Sequence, residues 1–196
     1  MRHWRGFTIL ELMITLVVLG ILTALAAPSF SEMIARNHLT AASNDLIVAL
    51  LTARSEAVKR ECMVSVSHNG DEDDDSDDWE KGWNVKVEDT EDTSVSANEL
   101  GGCTELEIVR HEVSSSNIEI DATGDIDTYD PEAVTYNPEG RVVEPITSSS
   151  PFTPVGGPSA FTLTYKTRIK VEDVRPRYVC LTQQGRPYVP EGGSCP

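Results

Sequence analysis

The first sixty residues carry two hydrophobic patterns, one after the other. From Phe7 to Ala27 nearly every residue is apolar, and the 21 residues of this run are enough to cross a bilayer as a helix. After Pro28, apolar residues recur at spacings of three and four, which predicts an amphipathic helix up to about Arg60. The members of this stripe are Leu39, Ala42, Leu46, Leu50, Ala53 and Ala57.

After Arg60 the period changes to two, which is typical of half-buried strands. Strands are predicted at residues 62–67, 83–88, 106–109, 117–120, 134–136, 141–143, 161–170, 178–181 and 188–189. Asn137-Pro-Glu-Gly140 and Gln183-Gln-Gly-Arg186 supply turns between the later ones. The pattern therefore predicts an α+β fold, in which a small antiparallel β domain rests on the second half of a long N-terminal helix.

Charge is distributed unevenly along the 196 residues, whose formal net charge is −16. Residues 61–132 hold 23 acidic side chains against three basic ones. The densest run, residues 71–78, is predicted to be a solvated acidic loop, because neighbouring carboxylates repel one another. A calcium site is the alternative, but the run lacks the central glycine and distal glutamate of an EF-hand loop. We therefore expect no metal site.

No catalytic motif is found in the sequence. It has no glycine-rich phosphate loop, no Gly-x-Ser-x-Gly and no His-Glu-x-x-His. The carboxylates cluster in turns and at outward strand positions, whereas acid–base catalysis needs carboxylates in environments that push their pKa values apart. We expect a protein that is not an enzyme and that needs no cofactor.

Four cysteines follow the apolar segment, at positions 62, 103, 180 and 195. An even number behind a membrane-targeting segment favours disulfides in an oxidising compartment, although buried free thiols are the alternative. Four cysteines allow three pairings. We favour Cys180–Cys195, which closes a short C-terminal loop, together with Cys62–Cys103.

The apolar run differs from a secretory signal in two respects. Its small residue, Gly6, precedes the apolar region, so cleavage there leaves the helix on the mature protein, whereas an ordinary signal is removed with its apolar region. Glu11 lies within the run, where a carboxylate is costly and usually has a partner. The amine of a newly exposed Phe7, on the same or a neighbouring subunit, is such a partner.

Gly6-Phe-Thr-Ile-Leu-Glu11 resembles the cleavage site of type IV pilins and type II secretion pseudopilins, with Ile9-Leu10 in the reverse of the usual order. The resemblance implies that prepilin peptidase cuts between Gly6 and Phe7 and N-methylates Phe7. It also implies that Glu11 docks on an adjacent subunit and that Pro28 lies where such stems often bend. The expected divisions are a leader (1–6), a transmembrane assembly helix (7–28), an amphipathic half (29–61) and a β-rich domain (62–196).

A second run, Ala53-Arg-Ser-Glu-Ala57, resembles the GspH/FimT group of minor pilins and pseudopilins, as do the Gly82-Trp83 strand and the Asn137–Gly140 hairpin. The group implies a minor pilin in the assembly or tip complex of a type IV pilus, or else a GspH-type pseudopilin of type II secretion. A disulfide-bonded domain with a long loop favours the pilus. The implied partners are prepilin peptidase and other minor and major pilins. The implied location is the inner membrane of a Gram-negative bacterium, with the domain in the periplasm, and then the filament.

A third hypothesis is DNA binding, as in FimT-like pilins of natural transformation. The candidate residues are Lys166, Arg168, Lys170 and Arg186. Basic side chains on one strand face can follow a phosphate backbone. Gly185-Arg186 matches the beginning of the Gly-Arg-x-Arg motif of such pilins, and Tyr188 stands where the second arginine is expected. A solvated strand face, or one that contacts an acidic neighbouring subunit, is the alternative.

Overall fold

A computed structural model describes residues 7–69, 79–88, 103–113, 115–123, 133–143, 159–166, 174–182, 184–191 and 193–195, apart from the side chains at 26–29 and 159. One helix, α1, spans Ile9–Arg60. It begins after the N-cap Thr8, whose hydroxyl accepts a hydrogen bond of 3.2 Å from the Glu11 N–H. It ends at Glu61, which takes a left-handed conformation with φ 56° and donates its N–H to the Ala57 carbonyl. The helix passes through Pro28 without interruption.

The rest of the described chain is almost entirely β structure. The strands are β1 (Val64–His68), β2 (Trp83–Val87), β3 (Leu106–His111), β4 (Ile118–Thr123), β5 (Ala133–Tyr136), β6 (Val142–Val143), β7 (Ser159–Tyr165), β8 (Arg177–Leu181) and β9 (Pro187–Tyr188). A short 3₁₀ turn, Trp79–Lys81, precedes β2. The predicted α+β class, a long helix on antiparallel sheets, is confirmed.

The strands form two antiparallel sheets. The first has the order β3-β2-β1-β5-β6, and the second has the order β4-β7-β8-β9. In the first sheet β1 pairs with both β2 and β5, so Val66 lies opposite Val85 on one side and Val134 on the other. β5 is more than sixty positions from β1, and alternation along a single strand carries no information about such a long-range pairing.

The core forms where both sheets meet the second half of α1. Its helical members begin at Ala35 and continue through the predicted stripe, from Leu39 to Ala57. The main sheet members are Val64, Val66, Trp83, Val85, Ile118, Ile120, Phe161, Leu163 and Val179. Trp79 contacts Phe161 edge-on with ring centroids 4.7 Å apart, an arrangement that aromatic pairs prefer.

Several predicted boundaries differ from the observed ones; β1, for example, begins at Val64 instead of residue 62. β7 ends at Tyr165, whereas the predicted strand continued to residue 170, and residues 167–170 lie outside the described part. β4 continues to Thr123, because its pairing with β7 extends that far. The last turn begins one residue earlier than predicted, since the Gly185 N–H donates to the Thr182 carbonyl at 2.8 Å.

Two disulfides link segments at the start and at the end of the β domain. Cys62 pairs with Cys103 and thereby ties the end of α1 to the segment before β3. Cys180 of β8 pairs with Cys195 near the C-terminus. These are the two pairs favoured from the sequence.

Candidate functional site

The N-terminal half of the stem is exposed along its whole described length. Each residue from Phe7 to Leu25 has an exposed side chain. The helix contains an 18-residue window with a mean hydropathy of 2.5 and none of that window buried, so by length and composition it can cross a membrane. An apolar surface of this extent requires lipid or another apolar surface to cover it.

Glu11 is the single charged residue between Phe7 and Leu25. The Glu11 backbone N–H donates a hydrogen bond to the hydroxyl of the N-cap Thr8, so the N-cap of the helix lies three residues before Glu11. None of the residues that the structure describes forms an ion pair with that carboxylate. The cleavage residue Gly6 lies outside the described part, and Phe7 is exposed at its edge. Nothing is described of the Pro28 side chain.

At the other end of the stem, Arg54 joins the helix to the β domain. Its Nε donates a hydrogen bond of 2.9 Å to the Gly140 carbonyl oxygen in the turn between β5 and β6. A methyl carbon placed on Gly140 would lie 3.1 Å from both Arg54 and Val58. The turn therefore rests directly on the helix, and the absence of a side chain at Gly140 permits this approach.

A second turn packs against the first. A methyl carbon placed on Gly185 would lie 2.9 Å from a Tyr136 ring carbon and 3.0 Å from the Gly140 carbonyl oxygen. Tyr136 is fully buried, and desolvation raises the pKa of its hydroxyl well above the usual range. Arg54, Tyr136 and the two glycines thus join α1 to the two turns, beside the core stripe that packs on the sheets.

The pattern of the sequence does not reveal this contact of Arg54, because its partner lies 86 residues away. The sequence feature that could have indicated a contact of Arg54 with the β domain is its position between the core residues Ala53 and Ala57. The neighbouring Glu56 has a different role. Its carboxylate pairs with Arg60 at 2.6 Å and Lys59 at 3.2 Å, and these partners, Arg60 first, lower its pKa.

The basic residues predicted for DNA binding do not form one open surface among the described residues. Lys166 Nζ lies 2.9 Å from Glu80 and 2.9 Å from Glu119. Those two carboxylates, Glu80 first, raise the pKa of Lys166. Arg186 is exposed at the far end of the second sheet, beside β9, while Arg168 and Lys170 lie outside the described part. The acidic residues 71–78 lie outside it as well.

The described residues hold no cluster of three or more His, Cys, Asp or Glu side chains able to bind a metal ion. Several of their acidic groups are instead paired with basic ones, as at Glu107 and Arg110, 2.6 Å apart. The Arg110 guanidinium lowers the pKa of the Glu107 carboxyl. The chemical features that stand out are therefore an exposed apolar helix, one acid within it, and a stem–domain junction.

These features define a pilin: an exposed apolar helix that continues into an amphipathic half, on which a β domain is folded. A model of the family described as type II transport protein GspH matches residues 42–185, and a model of the prokaryotic N-terminal methylation motif matches residues 1–27. The chain belongs to the GspH family of type IV pilin-like proteins, as either a minor pilin or a pseudopilin. Pilins are structural proteins.

Comparison with solved structures supports the fold. The chain resembles the type IV minor pilin FimU of Pseudomonas aeruginosa with a TM-score of 0.53 and 20% identity, over 82% of this chain and 94% of that chain. A second crystal form of FimU gives a TM-score of 0.50 and 19% identity, over 80% and 96% of the two chains.

Sequence relatives match over shorter lengths. A fimbrial protein of Pseudomonas aeruginosa is 40% identical over 58 residues, which are 30% of this chain and 37% of that protein. The type IV major alpha-pilin of Moraxella bovis is 39% identical over 77 residues, 36% of this chain and 48% of that protein. The chain thus spans less than half of the length of either relative.

Proposed function

We propose that this protein is a minor pilin that takes part in the assembly of a type IV pilus, in the complex that initiates the filament at its tip. Prepilin peptidase cleaves it between Gly6 and Phe7 and methylates the new Phe7 amine. The protein crosses the inner membrane once before assembly, with the β domain in the periplasm, and then moves into the filament with other minor and major pilins.

The observation that carries this proposal is the fully exposed apolar half of α1. An uncovered surface of this kind is stable in a membrane, and one rigid helix can pass from lipid into a bundle of similar helices while its β domain remains folded. Glu11 supports the same route. A lone carboxylate in lipid is costly, and the amine of a neighbouring subunit's first residue neutralises it when the helices bundle.

The test is the Glu11→Ala variant of the full chain, expressed in a piliated host. We expect normal cleavage, so that the mature chain begins at Phe7 by mass spectrometry, and a large loss of the variant from sheared filaments. Glu32→Ala is the matched control, since Glu32 lies on the same helix outside the apolar run and pairs with Arg36. Equal amounts of the Glu11 variant and the control in filaments would contradict the docking role.

A second candidate is a pseudopilin of type II protein secretion, and the observation in its favour is the matching family model, described as a type II transport protein. Deletion of the gene separates the candidates. Loss of surface pili with normal export of secreted enzymes supports the minor pilin, and the opposite result supports the pseudopilin.

DNA binding stays a prediction. Because Lys166 is engaged by two carboxylates, Arg186 is the described residue on which to test it, by gel shift of wild type against Arg186→Ala at low salt.

A further inference from the structure

The first sheet ends on one side at β3, which has no strand beyond it among the described residues. Every residue of β3 except Ile108 and His111 is exposed. Leu106 is 46% and Val109 is 43% exposed, and outside α1 the described chain has one other exposed large apolar residue, Val189. An edge strand with exposed apolar side chains, whose outward backbone groups have no strand to pair with, is a template for pairing with another chain.

The other three edges of the described sheets are protected, in contrast to β3. β6 and β9 are only two residues long, and β9 begins with Pro187, which has no backbone N–H to donate. β4 is as long as β3, but its isoleucines, Ile118 and Ile120, are buried, and the 3₁₀ turn at Trp79–Lys81 packs against it. Short length, proline and cover by another segment are devices by which natural proteins prevent edge pairing. β3 is the long edge of the described sheets that lacks all three.

Both ends of β3 are held in place by contacts with other elements. The Cys62–Cys103 disulfide fixes the chain shortly before β3 begins. At the other end, the His111 carbonyl accepts a hydrogen bond of 2.8 Å from the Asn69 side chain. The His111 ring also stacks on Trp83, with ring centroids 4.6 Å apart. The open edge is therefore ordered in advance, which lowers the entropic cost of binding a partner.

Pairing with β2 gives β3 an apolar face and a charged face. Leu106 and Val109 lie opposite two core valines of β2, so their side chains are on the same face of the sheet as the core. Glu107 and Arg110 lie opposite polar residues of β2 and are on the other face, because the register shifts between the two halves of the strand. A strand that adds to β3 therefore meets apolar side chains on one face and charged side chains on the other.

The charge of this edge is acidic. Glu105 and Glu112 flank β3 and are exposed, while within the strand Arg110 pairs with Glu107. Opposite charges across a strand pair are stabilising and like charges are destabilising, so the edge favours a basic partner. We propose that β3 binds an extended segment of a partner protein in which apolar residues alternate with lysine or arginine, and that this segment adds a strand to the five-stranded sheet. The proposal goes beyond the proposed function, because binding at β3 does not require the stem.

The experiment uses the full chain in detergent and a short synthetic peptide in which lysine and valine alternate. Backbone amide chemical shifts in NMR spectra locate the bound peptide. One control peptide carries N-methyl groups on its amides and cannot donate backbone hydrogen bonds, and another has glutamate in place of lysine. Val109→Lys places a charge on the open edge that repels a basic segment, and Val189→Lys is the matched control at an exposed valine outside β3. Retention of both disulfides confirms that each variant is folded.

We expect the lysine–valine peptide to shift the amide signals of β3, and both control peptides to bind several-fold more weakly. Val109→Lys weakens binding of the lysine–valine peptide several-fold, whereas Val189→Lys leaves it unchanged. Equal binding of the three peptides, equal effects of the two substitutions, shifts confined to other elements, or no shift at all would overturn the proposal. Shifts of the β3 amides that depend on protein concentration without peptide would assign the edge to a second copy of the chain and also overturn it. None of these outcomes decides the proposed function, which the Glu11→Ala variant tests separately.

Discussion

Arg54 shows how a single side chain connects distant parts of this protein. Its side chain extends from the helix between the core residues Ala53 and Ala57. Its Nε donates a hydrogen bond of 2.9 Å to the carbonyl of Gly140, in a turn 86 residues later in the chain. A part-buried guanidinium needs such acceptors, because an unpaired charge in that position is costly. The charge also has a local effect, since Arg54 opposes the rise that burial causes in the pKa of Tyr136. The run Ala53–Ala57 is therefore a structural signature of the stem–domain junction.

Lys166 makes a second connection, between the 3₁₀ turn at Glu80 and strand β4 at Glu119. Its hydrogen bond is the largest cause that lowers the pKa of Glu119 below the ordinary value of 4.5. A carboxyl with a lowered folded-state pKa adds stability above its unfolded-state pKa, and this stability is lost as the pH falls through the folded-state value. The side chains of Lys166 and Glu119 are both more than one third exposed, so the contribution of this ion pair to stability is small.

We predict that Lys166→Met weakens the folded state slightly at pH 7 and makes its stability less dependent on pH below 4.5. Urea unfolding of the full chain in detergent measures this, with fluorescence of the fully buried Trp79 and Trp83 as the signal. Arg186→Met is the control, because it removes the same charge from an exposed position with no acidic partner among the described residues. A pH dependence of Lys166→Met equal to that of the control would show that the ion pairs contribute nothing.

At the scale of elements, two similar turns close the ends of both sheets. In each, a glycine N–H donates at 2.8 Å to the carbonyl three residues earlier, at Asn137 and Thr182. The side chains of those two residues accept the N–H of the arginine that follows the glycine, at 2.9 Å and 3.1 Å. Gly140 and Gly185 have φ values of 72° and 73°, which other residues rarely adopt. The two turns then pack on each other above Arg54.

We predict that Gly185→Ala destabilises the protein by about 3 kcal/mol, through the left-handed φ and the contacts of the new methyl group with Tyr136. Gly193→Ala is the matched control. Gly193 has a similar φ of 76°, but a methyl carbon there would meet nothing within 4 Å. The control therefore loses only the conformational part, about 1 kcal/mol. If urea unfolding gave equal losses of unfolding free energy for Gly185→Ala and Gly193→Ala, the packing of the two turns would add no stability.

The elements divide clearly into those that the sequence predicts and those that it does not. The helix is predictable to within a residue or two at either end, because Thr8 and Glu11 mark its start and its core stripe keeps one period to Ala57. Strands β1, β2 and β7 follow from the alternation of apolar and polar residues. The division of the strands into two sheets cannot be predicted in this way, because it depends on pairings between residues far apart in sequence, such as Val66 with Val134. The Arg54 contact and the packing of Gly185 on Gly140 are unpredictable for the same reason.

At the scale of the whole molecule, the stem has two parts with separate roles. Every buried core residue of α1 lies at or after Ala35, and the described side chains before Ser31 are all exposed. The apolar half thus contributes no buried surface to the β domain, while the second half supplies one wall of the core. Both disulfides also lie in the second part of the chain.

We predict that a chain lacking residues 1–28 folds with both disulfides and with the same urea midpoint as the full chain, but no longer associates with membranes. The reason is that hydrophobic stabilisation follows the area buried on folding, and the described side chains of the removed segment bury none in the domain. Deletion of residues 1–42 is the comparison, because it removes Ala35, Leu39 and Ala42 from the core. Loss of these side chains is expected to cost several kcal/mol, in line with large-to-small changes in other cores. A lowered midpoint in the shorter deletion would show that the apolar half supports the domain directly, and the two parts of the stem would then form a single folding unit.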